Sequence, residues 1–186
     1  LGVKAKLIPM TNDSVQTKVV SDKLRLDFQE YFVKRETKDE VTNVLFEGAE
    51  KAKPETGIPK AIRMAERVII CPSNPILSIS PILSMSAIKN ELRKNKAYIV
   101  GVSPIVGGKA IKGPADRIMA SMGLEVSAYG VAKFYEDFLD HLIIDRVDEH
   151  LKRRIEELGV KVTVAGTIMR NLEDSIRLAK VVIEAK

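Results

Sequence analysis

The chain has 186 residues, 45% of them hydrophobic and 30% charged, with 30 basic against 25 acidic side chains and a formal charge of +5. That is the balance of a globular protein with room for one sizeable domain, with or without an appendage. No apolar run reaches the length of a membrane-spanning helix, and the lone Cys71 excludes an internal disulfide or a cysteine-rich metal site.

The chain opens Leu1-Gly-Val-Lys4, without an initiator Met and without a signal-peptide pattern, so a piece of a longer cytoplasmic protein is expected. Residues 4–8, 16–20 and 41–46 read as strands. Between them Asp27 opens a capping box with Glu30, ahead of Phe28, Tyr31 and Phe32. A linker over residues 51–59, with Pro54, Gly57 and Pro59, divides the chain into an α+β block (1–58) and a larger part (59–186). The block is either a lobe beside a crevice or an excursion of the same sheet.

From about Ala61 onward strands and helices alternate, as a parallel sheet requires. Residues 68–71, 98–102, 142–145 and 160–165 are short β-branched runs. Helices are expected near residues 87–94, stopping at Asn95, and 114–122, stopping at Gly123. Asp148 can cap a helix with Leu151, Ile155 and Leu158 on one face and Gly159 at its end. Asn171 can cap the last helix, with Leu172, Ile176, Ala179 and Ile183 as its buried stripe. The fold class is therefore α/β, Rossmann-like: a mostly parallel sheet with helices on both faces, plus the smaller N-terminal α+β block.

Ligands of open α/β sheets sit at the carboxyl ends of strands, and two strands here end in distinctive loops. The first, Pro72-Ser-Asn-Pro75, fixes its backbone with two prolines and offers Ser73 and Asn74 to a phosphate or a sugar, or to its own turn. Ser78-Ile-Ser-Pro81 adds hydroxyls beside it. The second, running from Ser103 through Pro104, Ile105, Val106, Gly107 and Gly108 to Lys109, Lys112 and Pro114, combines flexible backbone with positive charge. It fits neither the Walker loop nor the dinucleotide fingerprint, but its chemistry points to an anionic, phosphorylated ligand; a surface loop is the alternative.

Other candidates are structural on this reading. His141 and His150 do not make a metal pair, and Cys71 reads as a small buried hydrophobe. Asp137, Asp140, Asp145 and Asp148 could hold Mg²⁺ or could cap and solvate their elements. Lys152-Arg153-Arg154 lies among Glu149, Glu156 and Glu157, so a solvated helix face is expected and neither nucleic acid nor membrane is an expected partner.

Pro9-Met-Thr-Asn-Asp13, Phe28-Gln-Glu-Tyr-Phe-Val33, Pro72-Ser-Asn-Pro75, Ser80-Pro-Ile-Leu83, the stretch from Val102 to Ala115, Gly123-Leu-Glu-Val-Ser127 and Tyr135 through Asp145 occur in an order that resembles the CofD family, the 2-phospho-L-lactate transferases of coenzyme F420 biosynthesis. The resemblance implies a Rossmann-like transferase that requires Mg²⁺. Such an enzyme moves the phospholactyl group of lactyl-2-diphospho-5′-guanosine to the deazaflavin Fo and releases GMP; some relatives use a phosphoenolpyruvyl donor. Family members begin with a strand and a Gly-Gly-x-Gly loop followed by acidic residues, and this chain resembles only the C-terminal part. The resemblance thus leaves catalytic residues and metal ligands unassigned here. It carries over Ser73, Asn74, Ser103, Pro104, Ile105, Val106, Gly107, Gly108 and Lys112 as donor contacts. A non-catalytic branch that binds nucleotide sugars is the alternative. A homo-oligomer, with a dimer as its simplest form, is expected from the apolar surface that a partial sheet would expose.

Overall fold

The computed structural model describes residues 4–22, 24–94 and 96–186. Its centre is a parallel sheet of four strands, β4 (Arg67–Ile70), β5 (Tyr98–Val102), β8 (His141–Asp145) and β9 (Lys161–Ala165), in the spatial order β4-β5-β8-β9. The register pairs Ile69 with Val100, Val102 with Ile143, and Ile143 with Thr163. β8, flanked on both sides, is buried along its whole length, which is why its sequence is a nearly unbroken apolar run.

Side chains alternate between two faces. One face carries Ile99, Leu142 and Ile144 and packs with α3 (Ser86–Lys94), α5 (Ala128–Tyr135) and α6 (Lys152–Glu156) through Ile88, Leu92, Val131, Tyr135 and Ile155. The other presents Val100, Val102 and Ile143 to the last helix, α7 (Leu172–Glu184). Helices therefore cover both faces. At the amino ends of the strands, Tyr98 joins His141 at 3.0 Å and lies under the Arg67 guanidinium, which also bonds the Val182 and Ala185 carbonyls at the end of α7.

The N-terminal block is a separate antiparallel sheet, ordered β2-β1-β3, of β1 (Gln16–Ser21), β2 (Leu24–Asp27) and β3 (Asn43–Glu47). It packs through Val19, Leu26, Tyr31 and Val44 against Ile76 and Ile118. The linker leads into α1 (Gly57–Met64). Short segments complete the chain: α2 (Ser80–Leu83), a two-strand hairpin of β6 (Ile105–Val106) and β7 (Lys109–Ala110), and α4 (Ala115–Ser121).

Several expectations are corrected. Residues 4–8 form no strand: Leu7 is 88% exposed, and the following residues are tied to the linker instead, with Thr11 donating to the Lys53 carbonyl at 2.5 Å and Asp13 accepting the Lys53 N–H at 2.7 Å. Asp27 caps nothing, because it still belongs to β2, where it pairs with Lys18 at 2.6 Å; the π-helical turn Glu30–Lys34 begins without a side-chain cap. Cys71 is exposed, since β4 stops at Ile70. Asp148 does not cap a helix; Asp145 caps the 3₁₀ segment Arg146–Leu151 that precedes α6. Leu172, Ile176, Ala179 and Ile183 face outward, and α7 buries Leu178 and Val182, with Ala185 buried just past its end. Asn171 does cap α7, accepting the Asp174 N–H at 2.8 Å, and Gly123 and Gly159 take the left-handed backbone that ends a helix. Asn95, the expected stop of α3, lies outside the described residues.

Candidate functional site

The loops that follow β4, β5 and β9 meet the N-terminal block around a cavity of about 450 Å³. From the first loop come Pro72, Ser73 and Asn74; from the second, Ser103, Pro104, Val106 and the run from Ile111 to Ala115; from the third, Thr167, Ile168 and Met169; from the block, Phe28 and Phe32.

Asn74 lines the cavity and is bound up in local structure. Its Oδ1 accepts the N–H groups of Ile76 (2.9 Å) and Leu77 (3.1 Å), capping the π-helical turn Pro75–Ile79. Because two donors fix the oxygen, the amide NH₂ must point the other way. Nδ2 is buried there without a hydrogen-bond partner. A buried donor left unpaired is costly, unless a ligand's acceptor completes it. Ser103 is 2% exposed, and its hydroxyl is spent inside its own loop, donating to the Ile105 carbonyl at 2.8 Å. Lys112 is exposed on the cavity wall and has no acidic partner among the described residues. It supplies a positive charge that the fold itself does not use.

The glycines have a different task. Gly107 and Gly108 have φ of 58° and 75° and form the tight turn between β6 and β7, a geometry that requires left-handed backbone at both positions. Neither lines the cavity, nor does Ile105, whose side chain is wholly buried in the core. Thus Ser73, Asn74, Ser103, Pro104, Val106 and Lys112 converge on one cavity, while Ile105, Gly107 and Gly108 shape the loop behind it.

The carboxylates hold these loops in place. Asp148, 2% exposed, accepts the Gly107 N–H with both oxygens at 3.1 Å. Asp145, at the carboxyl end of β8, accepts the Val147 N–H (3.2 Å), the Thr167 N–H (2.8 Å) and the Thr167 hydroxyl (3.1 Å). Burial pushes its pKa up, but these hydrogen bonds outweigh burial and hold it below the ordinary value. Asp140 accepts the Ile99 N–H at 2.7 Å, and Asp137 pairs with Arg93 and Lys89. No three His, Cys, Asp or Glu side chains among the described residues converge as metal ligands. The described residues therefore form no ready-made cage for the Mg²⁺ that the resemblance implies.

His141 and the basic cluster 152–154 have structural partners. His141 bridges Tyr98 and the Thr163 hydroxyl (2.8 Å). Arg154 pairs with Glu125 at 2.6 Å and lies 3.6 Å from the Tyr129 ring centroid, while Lys152 and Arg153 pair with Glu156 and Glu157.

Two parts of the site escaped the sequence reading. Thr167, Ile168 and Met169 follow the carboxyl end of β9, so the strand-end rule that found the first two loops reaches this one too. In sequence Phe28 and Phe32 belong to an expected helix start, and their spacing of four residues is the sign of a shared face.

Comparison with known proteins places the chain in a family. The family model described as 2-phospho-L-lactate transferase CofD matches residues 1–182. A 2-phospho-L-lactate transferase of Methanocaldococcus jannaschii is 46% identical over 188 residues, covering 99% of this chain and 59% of that protein. Its counterpart from Methanothermobacter thermautotrophicus is 39% identical over 183 residues, covering 98% and 58%. The chain thus spans about three fifths of the length of these relatives. A UPF0052-family protein of Bacillus halodurans shares the fold, with a TM-score of 0.66 at 16% identity over 99% of this chain and 63% of that one. A match that runs through the parallel sheet and every loop around the cavity leaves one assignment: the chain belongs to the CofD family.

Proposed function

We propose that the cavity binds the donor side of a phospholactyl transfer, and that the protein to which this chain belongs moves 2-phospholactate from lactyl-2-diphospho-5′-guanosine to Fo with release of GMP. The observation that carries this reading is the unpartnered Nδ2 of Asn74, buried on a cavity wall that also bears the uncommitted Lys112. A diphosphate oxygen would satisfy the amide, and the lysine would offset its charge.

In this reaction the Fo hydroxyl attacks the phosphorus that carries lactate. The bond from that phosphorus to the bridging oxygen breaks, GMP leaves with the bonding pair, and the hydroxyl proton passes to a base or to water. Phosphoryl transfer of this kind depends on positioning and charge stabilisation rather than on a covalent nucleophile. The cavity residues would bind and orient the donor.

The test uses Asn74→Asp, which keeps the Oδ1 cap and removes the NH₂ donor. Calorimetric titration with GDP should show binding to the wild type and at least about a tenfold loss in the variant, from the lost hydrogen bond and the added negative charge beside the diphosphate. Equal affinity in both would overturn the assignment of Asn74. Preference for a UDP-sugar over GDP would favour the nucleotide-sugar-binding branch. A transfer assay with Fo and lactyl diphosphoguanosine, comparing this chain with a full-length form, tests the reaction itself through GMP release.

A further inference from the structure

A second cavity, also of about 450 Å³, lies where α4 meets the segment that follows the π-helical turn of the N-terminal block, and it shares no lining residue with the first. Ile118 and the ring of Tyr31, both buried in the core of the block, give it an apolar floor. Asp39 and Arg117 bring opposite charges to its walls. The fold leaves the polar groups of all three side chains incompletely used. The Tyr31 hydroxyl makes no hydrogen bond among the described residues. Burial raises its pKa; the charge of Arg117 works against that rise and the charge of Asp39 adds to it, so both charged groups lie close to the one hydroxyl. Asp39 accepts from Arg35 through Oδ1 at 2.8 Å, but its Oδ2 is buried without a hydrogen-bond partner, a costly state for a carboxylate. Arg117 donates to the carbonyl and the hydroxyl of Thr37, at 2.9 and 2.5 Å, and pairs with no carboxylate among the described residues. Its grip falls on a strained place. Glu36 and Thr37 have φ of 51° and 57°, a left-handed backbone that a β-branched side chain such as Thr rarely takes. Strain of this kind persists where the surrounding structure over-determines it, and it gathers at ligand clamps.

We propose that this cavity is a second binding site, for a small α-amino or α-hydroxy carboxylate, with Arg117 and the Tyr31 hydroxyl taking the carboxylate and Asp39 taking the donor on the neighbouring carbon. A simple anion would be repelled by Asp39 and a simple cation by Arg117, so the ligand carries both kinds of group. The two groups are close together in it, because Asp39 and Arg117 act on the same hydroxyl. A guanidinium has more N–H donors than the two spent on Thr37, and those left over suit a carboxylate. The site goes beyond the transfer reaction and does not depend on what the first cavity holds.

The probes are L-α-aminobutyrate, L-α-hydroxybutyrate and butyrate, which share a carboxylate and a chain length and differ only in the group on the α-carbon. Titration followed by backbone amide NMR shifts should show saturable binding of at least one of the first two, with the shifts centred on residues 37–41 and 117–121. Butyrate should bind at least about tenfold more weakly, the effect of one hydrogen bond to a charged group. Tyr31→Phe should weaken the bound probe by about tenfold for the same reason, without lowering Tm, since the hydroxyl it removes bonds to none of the described residues. Arg117→Met should abolish saturable binding; it also frees Thr37, so Tyr31→Phe is the variant that decides. Binding of aminobutyrate alone assigns the ligand as an amino acid, and binding of hydroxybutyrate alone as a hydroxy acid; either supports the site. Butyrate bound as tightly as its analogues, a wild type that binds none of the three, or Tyr31→Phe that binds as the wild type does would each overturn it. None of these results bears on the first cavity, which the GDP titration tests separately.

Discussion

Asp145 shows how a single carboxylate can shape a site through the loops that it holds. It ends the most buried strand, and its oxygens take up the N–H groups of Val147 and Thr167 together with the Thr167 hydroxyl. Replacing it with Ala would leave two backbone donors unpaired, at a cost of at least about 2 kcal/mol, and would release the loop bearing Thr167 and Met169. Because its pKa is depressed in the folded state, its stabilisation is complete above the unfolded value near about 4 and is lost as the pH falls further. Urea titrations of wild type and Asp145→Ala should therefore differ most at neutral pH and converge in acid. His141 gives a second pH signature. Burial, and then the charges of Lys161 and Arg67, lower its pKa while it bridges Tyr98 and Thr163. A histidine held neutral contributes stability above its unfolded pKa of about 6.5 and loses it as the pH drops. The wild-type Tm should decline from pH 7.5 to 5.5, and His141→Gln should flatten that decline. An equal slope in the variant would remove His141 as its source.

At the scale of elements, legibility followed the number of buried faces. β5 and β8 are enclosed on both sides, so their sequences could be read as strands, and the end of β5 as a loop that reaches a site. α7 was harder, because it carries apolar residues around much of its circumference. Leu178 and Val182 point inward while Leu172, Ile176 and Ile183 point out, and spacing alone favoured the wrong stripe. Residues 4–8 carry strand-like composition, but β structure needs a neighbour, and none is visible from within the segment. Of the site, the two Pro-flanked loops were legible because strand ends advertise themselves; the aromatic wall was not, since it depends on how the N-terminal sheet docks. α5 shows a constraint that no local pattern gives. Ser127 caps it by accepting the Gly130 N–H at 3.0 Å, and a Cβ at Gly130 would stand 1.8 Å from the Glu125 carbonyl oxygen. Gly130→Ala must push the 125–127 turn away from the helix, so we expect a loss of about 1–3 kcal/mol or more, read as a lower urea midpoint. A midpoint equal to the wild type's would mean that the turn yields freely.

The whole molecule leaves one side of its sheet unevenly covered. On the face that α7 occupies, Val100, Val102 and Ile143 are buried, yet Ile69, in register with Val100 on the end strand β4, is 43% exposed. β4 pairs only with β5 among the described residues, so its other edge presents unpaired backbone groups, and the outward stripe of α7 adds Leu172, Ile176 and Ile183 at 73%, 48% and 61% exposure. An open edge together with exposed apolar side chains is a surface that favours association. In the longer relatives further chain is available to cover it; for this chain by itself, a second copy is the available cover. Sedimentation of the wild type should therefore show a concentration-dependent rise in mass. The double variant Leu172→Lys, Ile176→Lys should stay monomeric at the same concentrations with little change in Tm, because both positions already face solvent. The substitutions leave the Asn171 cap and the inward contacts of Leu178 and Val182 in place. A wild type that remains monomeric throughout, or a double variant that associates as readily, would show that this stripe does not drive assembly.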